Sequence, residues 1–458
     1  FFEDSLCHAN KAIKVGVIFG YCVALMKTTP LFLFILLLPF LALSQTHEIS
    51  GTTTLGNGTS IYLWKTVGRT LNPVDTCKVS NGSFKLSGKY AEGLYAIGVA
   101  PNNMLIFSMD HTELKTVLQV QGPKWDVNTT FKEGVRNQDW MEYTKKEADY
   151  LKQKRELMVK SKKDNDTSAT RKLMELEKSF LTYQNSKIAK DAKSFTYQVI
   201  SWKQEPSEDK AHYWDNIDFN DTRILHTTVL NDRIQNFMRK FSKGKESGFI
   251  DCIGLLSEKS SVNHDVYEYV LNEMLTGFYE RGMENITLYL MDNFINDESC
   301  GDDNFSNVIK RNAENIERVS VGKTPPNITG NDLNNVAFDL KKTCASNQYT
   351  LLIFWSSWCS HCKTEAPKIA KLSKDYAGRK IAFVGYSVDN DANAWKQAVT
   401  EREFTFTNLC GMKGWDSKGA KDFRITKTPA FFILDKNMRI VTKPKSPEEI
   451  ELFFKLSK

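Results

Sequence analysis

Cysteine is scarce in this chain, with 9 among 458 residues. So few thiols cannot make a disulfide scaffold, and the fold must be held by burial of its core. Charge of one sign is missing as well. The 61 basic residues stand against 55 acidic ones, a formal net charge of +6, which is too small an excess at this length for a nucleic-acid footprint. No apolar run reaches the roughly 20 residues of a membrane-spanning helix; the run Leu31–Leu43 falls short and is interrupted by Pro39. A second C-x-x-C and a histidine pair at finger spacing are also lacking, which leaves a zinc site short of ligands unless Cys344 or Cys410 joined His361. C-x-x-C-H is absent too, because Lys363 follows Cys362, so covalent c-type haem attachment has no support.

What is present begins with an export-like segment. "MKTTPLFLFILLLPFLALSQ" has a positive start at Lys27, an apolar stretch, and small residues Ala42 and Ser44 spaced for signal-peptidase cleavage before Gln45. Residues 26–44 are therefore expected to be a signal peptide. Residues 1–25, with Cys7 and Cys22, are expected to be absent from the mature protein. Membrane association is expected only if the segment stays uncleaved. An exported chain works where disulfides persist. Its remaining cysteines are Cys77, Cys252, Cys300, Cys344, Cys359, Cys362 and Cys410, an odd number that leaves at least one thiol unpaired.

Domain sizes of about 100–200 residues divide such a chain into roughly two to four units. Over residues 45–125, strand-like segments such as "TSIYLWKTV", "GLYAIGV" and "MLIFSMD" alternate with turn signals, which predicts a small antiparallel β-sandwich-like domain. Asn81-Gly82, between "TCKVS" and "SFKLSG", predicts a type I′ hairpin. Residues 131–319 change to helical period with abundant Lys and Glu, broken at "SKKDNDTS", and predict a helical domain. "VGKTPPNITGNDLNNVAFDL" reads as a joint. Residues 320–458 alternate strand and helix, from "YTLLIFWS" to a closing helix "SPEEIELFFKLSK" with Ser446 as its N-cap, and predict an α/β layer domain.

The chemistry is concentrated in "FWSSWCSHCKTEAP". A C-x-x-C pair after a buried strand falls on the first turn of the next helix, where unsatisfied N–H groups and the helix dipole favour an anion. The first thiol of such motifs ionises at about 3.5–7.5. Cys359 is thus the candidate nucleophile and Cys362 the residue that resolves its mixed disulfide. Half of a metal site and two inert neighbouring cysteines are the competing readings. The polar flanks of "SSWCSHCK" oppose a buried, inert pair.

With these residues in view, residues from about 321 to 458 resemble the thioredoxin fold in its TlpA-like (ResA-like) branch of exported thiol-disulfide oxidoreductases. "FWSSWCSHCKTEAP" is similar to that branch's F-W-A-x-W-C-x-x-C-x-x-E-x-P signature, "VGYSVD" to its central strand, and "ITKTPAFFILDKNMRI" to its T-P segment. The resemblance implies that Cys359 and Cys362 form the redox disulfide, that Trp358 shields the thiols, and that Glu365 is the proton handler beside Cys362. It further implies that Pro367 kinks the active-site helix and that Thr428-Pro429 is a cis pair offering backbone hydrogen bonds to a bound polypeptide. "DTCKVSNGSFKLSGKYAEGLYAI" and "YWDNIDFNDTRIL" likewise resemble domains of unknown function that accompany this branch.

Ser360-His361 departs from the branch, where a pair ending in proline is usual. A histidine there is similar to protein disulfide isomerase and DsbA, and an imidazole can stabilise the Cys359 thiolate. Reductase and isomerase directions both stay open. Among the other thiols, Cys77 and Cys252 read as small buried hydrophobes. A Cys252–Cys300 bridge and a Cys344–Cys410 disulfide are open alternatives.

The resulting expectation is a multidomain, periplasm-facing or cell-envelope oxidoreductase without a cofactor beyond its dithiol. Its partners would be protein disulfide substrates and a membrane or periplasmic thiol electron donor, with no nucleic acid. A peroxiredoxin-like peroxidase would need a P-x-x-x-T pattern ahead of a lone cysteine, where "LLIFWSSW" stands. An envelope binding protein whose β and helical domains capture a partner is the rival from another class.

Overall fold

The computed structural model of the protein describes residues 46–164, 166–295 and 307–457. The export-like segment 26–44, the stretch 1–25, Cys7, Cys22 and Cys300 lie outside them. Among the described residues no helix is long and apolar enough to cross a membrane. The chain divides into two compact units, one ending at Lys243 and one beginning at Gly244. That division falls inside the 131–319 stretch read as one helical region.

The first unit opens with β1 (His47–Thr53), β2 (Ser60–Val67), β3 (Thr70–Lys78), β4 (Ser83–Gly88), β5 (Gly93–Ala100), β6 (Asn103–Met109) and β7 (Lys115–Val120). After a short helix α1 (Trp125–Asn128) comes β8 (Thr129–Glu133), which the sequence pattern had not separated from the helical region. The sheets run β4-β1-β7-β8 and β3-β2-β5-β6, and side chains from both, including Ile49, Leu63, Ile97 and Leu118, fill one core. Two expectations need correction. The β1–β7 pair is parallel, so the unit is not wholly antiparallel. Asn81 and Gly82 do take the positive φ that a type I′ turn demands, +50° and +68°, but β3 and β4 belong to different sheets. The turn passes the chain across the sandwich, with only Ser80 and Ser83 bridging it.

Helices α2 (Val135–Asp164), α3 (Thr167–Ile188), α4 (Phe195–Trp202) and α5 (Val229–Phe241) complete this unit. Asp166 starts α3 by accepting from the Ser168 and Ala169 N–H groups at 2.8 and 3.1 Å. Two buried carboxylates tie helices to the rest. Asp110, at the end of β6, accepts from Ser194 Oγ at 2.5 Å and the Thr196 N–H at 2.9 Å, which seats α4. Asp139 of α2 accepts from Lys187 Nζ of α3 at 2.7 Å and from the Tyr197 hydroxyl at 2.5 Å.

The second unit starts with α6 (Glu246–Ser260), α7 (His264–Glu280), α8 (Glu284–Leu290) and α9 (Asn307–Glu317). The Pro- and Asn-rich stretch expected to be a joint contains an ordered hairpin of β9 (Thr329–Asn331) and β10 (Ala337–Asp339) within this unit. Then follow α10 (Leu340–Ala345), β11 (Tyr349–Trp355), α11 (Ser360–Asp375), β12 (Ile381–Ser387), α12 (Ala392–Glu401), β13 (Thr407–Cys410), α13 (Lys418–Asp422), β14 (Ala430–Asp435), β15 (Ile440–Thr442) and α14 (Pro447–Leu456). Their sheet has the order β13-β12-β11-β14-β15. Strand β11 is central, parallel to β12 and antiparallel to β14, and is apolar throughout after Thr350 because helices cover both faces. Ile353 and Trp355 pack with α11, α12 and α14 through Ile369, Trp395 and Ile450. Leu352 and Phe354 pack on the other face with Cys344 and Phe423, where Tyr279 of α7 also joins.

Candidate active site

Strand β11 delivers the chain to the edge of the sheet, and Ser356–Trp358 turn it into α11. Cys359 is the N-cap of that helix, with an extended backbone (φ −78°, ψ 114°) and its sulfur accepting the Cys362 N–H at 3.0 Å. The sulfur therefore replaces the side-chain oxygen that usually satisfies an orphan N–H at a helix start. A thiolate in that position gains both the hydrogen bond and the dipole. Cys359 and Cys362 are joined as a disulfide, with Cα atoms 5.2 Å apart.

Both sulfur-bearing residues are nearly covered, at 8% and 3% exposed, although Ser360, His361 and Lys363 around them are exposed. Polar flanks thus surround a covered pair. Trp358 is 59% exposed and meets Trp415 edge-on with ring centroids 5.9 Å apart. The Thr428-Pro429 bond is cis, and the Thr428 carbonyl oxygen lies 3.3 Å from Cys359 Sγ. A reduced Cys359 can donate to that oxygen. Glu365 is partly buried, and its carboxylate pairs with Lys368 Nζ at 3.0 Å. Lys368 also reaches Glu448, at 2.8 Å. Pro367 lies inside α11, where its missing N–H removes the bond that the Lys363 carbonyl would accept.

Two residues outside the motif hold the turn that presents Cys359. Asp389, buried just beyond β12, accepts from the Ser357 N–H at 2.9 Å, Ser357 Oγ at 2.6 Å and Ser387 Oγ at 2.5 Å. Arg402, at the end of α12, donates to the Ser356 and Ser357 carbonyl oxygens at 2.9 and 2.7 Å. Its guanidinium lies 4.9 Å from the Trp355 ring centroid. Burial pushes its pKa below the ordinary arginine range, with Asp389 and Glu401 opposing. Sequence reading missed both. The only available signals were an acidic residue closing the apolar strand "IAFVGYSVD" and an arginine in "TERE".

The other thiols are spread out. Cys344 is fully buried on one face of the sheet, whereas Cys410 packs against the cluster on the opposite face. Neither is in a disulfide. Burial pushes both thiols up. Cys77 is half-buried in β3 and Cys252 is buried in α6.

Residues 347–440 match the Thioredoxin-like family. A Thioredoxin-like protein of Haemophilus influenzae is 30% identical over 128 residues, covering 28% of this chain and 72% of that protein. Thiol-disulfide oxidoreductase ResA of Bacillus thuringiensis is 24% identical over 142 residues, covering 30% of this chain and 79% of that protein. Among solved structures, the C-terminal domain of a putative thiol-disulfide oxidoreductase from Bacteroides thetaiotaomicron is 23% identical, covering 30% of this chain and 96% of its own, with a TM-score of 0.29. Through its C-terminal region, which carries the Cys359–Cys362 pair, the chain belongs to the thioredoxin-like thiol-disulfide oxidoreductases.

Proposed function

We propose that this chain exchanges electrons with protein disulfides in the bacterial cell envelope through a Cys359/Cys362 dithiol–disulfide cycle. The observation that carries the reading is the Cys359 sulfur, set at the start of α11, bonded to the Cys362 N–H and facing the Thr428 carbonyl at 3.3 Å. Export is supported by the segment 26–44, which has the charge, apolar run and small residues of a signal peptide.

In the reducing direction, Cys359 thiolate attacks one sulfur of a substrate disulfide. A Cys359–substrate disulfide forms and the other substrate sulfur leaves as thiolate, taking up a proton. Cys362 then loses its proton, with Glu365 as the acceptor, and attacks Cys359 Sγ. The second substrate thiol is released, and the protein pair is oxidised by two electrons. A thiol donor in the membrane or periplasm restores the dithiol. Run in reverse, the same steps oxidise a substrate dithiol. The backbone groups at Thr428 align the substrate chain beside Cys359, and His361 beside the pair tunes the preferred direction.

Insulin reduction tests the cycle. Wild type is expected to turn over with dithiothreitol as donor, and Cys359→Ser to fall to the uncatalysed rate; equal turnover by the two proteins rejects the mechanism. Equilibration against glutathione gives the direction, since a strongly reducing potential marks a reductase and one near isomerase values marks a shuffling enzyme.

A further inference from the structure

The α7–α8 turn, around Arg281 and Gly282, faces the loop that carries the cis proline across a cleft of about 380 Å³. This wall comes from the helical segment ahead of the thioredoxin-like sheet. The lining holds five cationic side chains, Arg281, Arg424, Lys427, Lys443 and Lys445, against two carboxylates, Glu280 and Glu284. One charge of each sign is already committed, because Glu284 pairs with Lys443 Nζ at 3.0 Å and also accepts the Val321 N–H, which leaves four cations against Glu280. The cleft therefore keeps an excess of positive charge.

Arg424 shows the imbalance most clearly. Its backbone is left-handed, with φ +50°, and its guanidinium is held 5.3 Å from the Tyr279 ring centroid. Its Nε is buried with no hydrogen-bond partner among the described residues. A buried donor without an acceptor is costly; a carboxylate in the cleft would not reach this covered atom, but it would place a favourable charge near the guanidinium that lines the cleft. Lys427 gives one hydrogen bond to the Glu280 carbonyl oxygen at 3.0 Å, and an ammonium has two more donors to offer.

The cleft is joined to the thiols by the chain itself. Pro429 is part of its lining, and the residue before it, Thr428, has its carbonyl 3.3 Å from Cys359 Sγ. A polypeptide whose sulfur reaches Cys359 along this loop brings its neighbouring residues to the cleft. We propose that the cleft is a specificity subsite that selects polypeptide substrates with Asp or Glu a few residues from the reacting cysteine. This rests on the dithiol reading and names the substrate class for it.

The test uses the full chain and synthetic peptides with one disulfide each, differing only in an acidic, neutral or basic triplet beside a cysteine. The expected kcat/KM for the acidic peptide exceeds that of the neutral one roughly tenfold at low salt, as two or three partly exposed ion pairs would give. The ratio shrinks in 0.5 M salt. The Arg281→Gln/Lys445→Gln variant, which alters two exposed residues, brings the acidic-to-neutral ratio to within about twofold. Equal wild-type rates for acidic and neutral peptides, or a ratio that survives in the variant, overturn the subsite. If no peptide is reduced, the dithiol reading has failed, and anisotropy with the acidic peptide carrying Ser for Cys decides the cleft alone. Binding that weakens in the variant supports it, and no binding overturns it.

Discussion

The guanidinium of Arg402 holds the Ser357 carbonyl oxygen at 2.7 Å, two residues ahead of Cys359. Its second contact, to the Ser356 carbonyl at 2.9 Å, makes a fork, while Asp389 grips the N–H and hydroxyl of the same Ser357 from the other side. The turn is held by both its donors and its acceptors, so the start of α11 cannot drift without breaking several bonds.

Arg402→Ala should leave two carbonyls poorly satisfied and lower stability by about 1–3 kcal/mol, read as a shift of the urea midpoint. Arg402→Lys should recover only part, since a point cation cannot reproduce the fork. If the fork also positions the nucleophile, the pH profile of Cys359 alkylation should move to higher pH in Arg402→Ala. A purely structural role would move the midpoint and leave that profile in place.

Cys362→Ser should stop the cycle halfway. Incubated with a disulfide substrate, it should accumulate a covalent Cys359 adduct visible by mass spectrometry and released by dithiothreitol, because the residue that closes the cycle is gone. The Cys359→Ser protein should form no such adduct at the motif. Adduct on Cys362 instead would reverse the order of attack.

Much of the site could be read in the linear chain because its parts are local. Tyr349–Trp355 reads as a doubly covered strand, two cysteines three apart fall on one helical turn, and Ser446 caps α14 by accepting the Glu449 N–H at 3.4 Å. Asp389 and Arg402 could not be read, since they lie 32 and 45 residues from Ser357 and meet it only through the packing of β12 and α12 beside β11. The same limit applies to Asn81-Gly82. Its φ values follow from residue type, but which sheet each flanking strand joins depends on partners elsewhere in the chain.

His226 should make the first unit sensitive to mild acid. Burial, and then the charge of Lys65, lower its pKa from 6.5 to about 4, and its Nδ1 is buried without a partner among the described residues. The folded form thus binds fewer protons than the unfolded form between these values. Its contribution is complete above pH 6.5 and is lost as pH falls toward 4, amounting to about 2 kcal/mol by pH 5. Urea midpoints for residues 46–243 at pH 7 and pH 5 measure it, with His226→Gln expected to flatten that part of the dependence.

Glu284→Gln should destabilise the second unit more than an ordinary surface pair would. Lys443 is only 21% exposed at its side chain and lies 3.0 Å from Glu284; burial pushes its pKa down, and Glu284 opposes this. Removing the charge of Glu284 leaves the ammonium half-buried beside the rings of Tyr279 and Phe432 without its charge partner, while the Gln carbonyl oxygen can still accept the Val321 N–H. Breaking one side of a covered pair costs about 3 kcal/mol, whereas replacing both sides with apolar groups is often close to neutral. The Glu284→Gln/Lys443→Met protein should therefore regain most of the loss, and the urea midpoints of the two single variants and the double one give the coupling. A coupling of about 1 kcal/mol or more would establish that α8 and the end of β15 unfold as one cooperative body. Additive effects would instead mean that the Glu284–Lys443 pair does not couple the two segments.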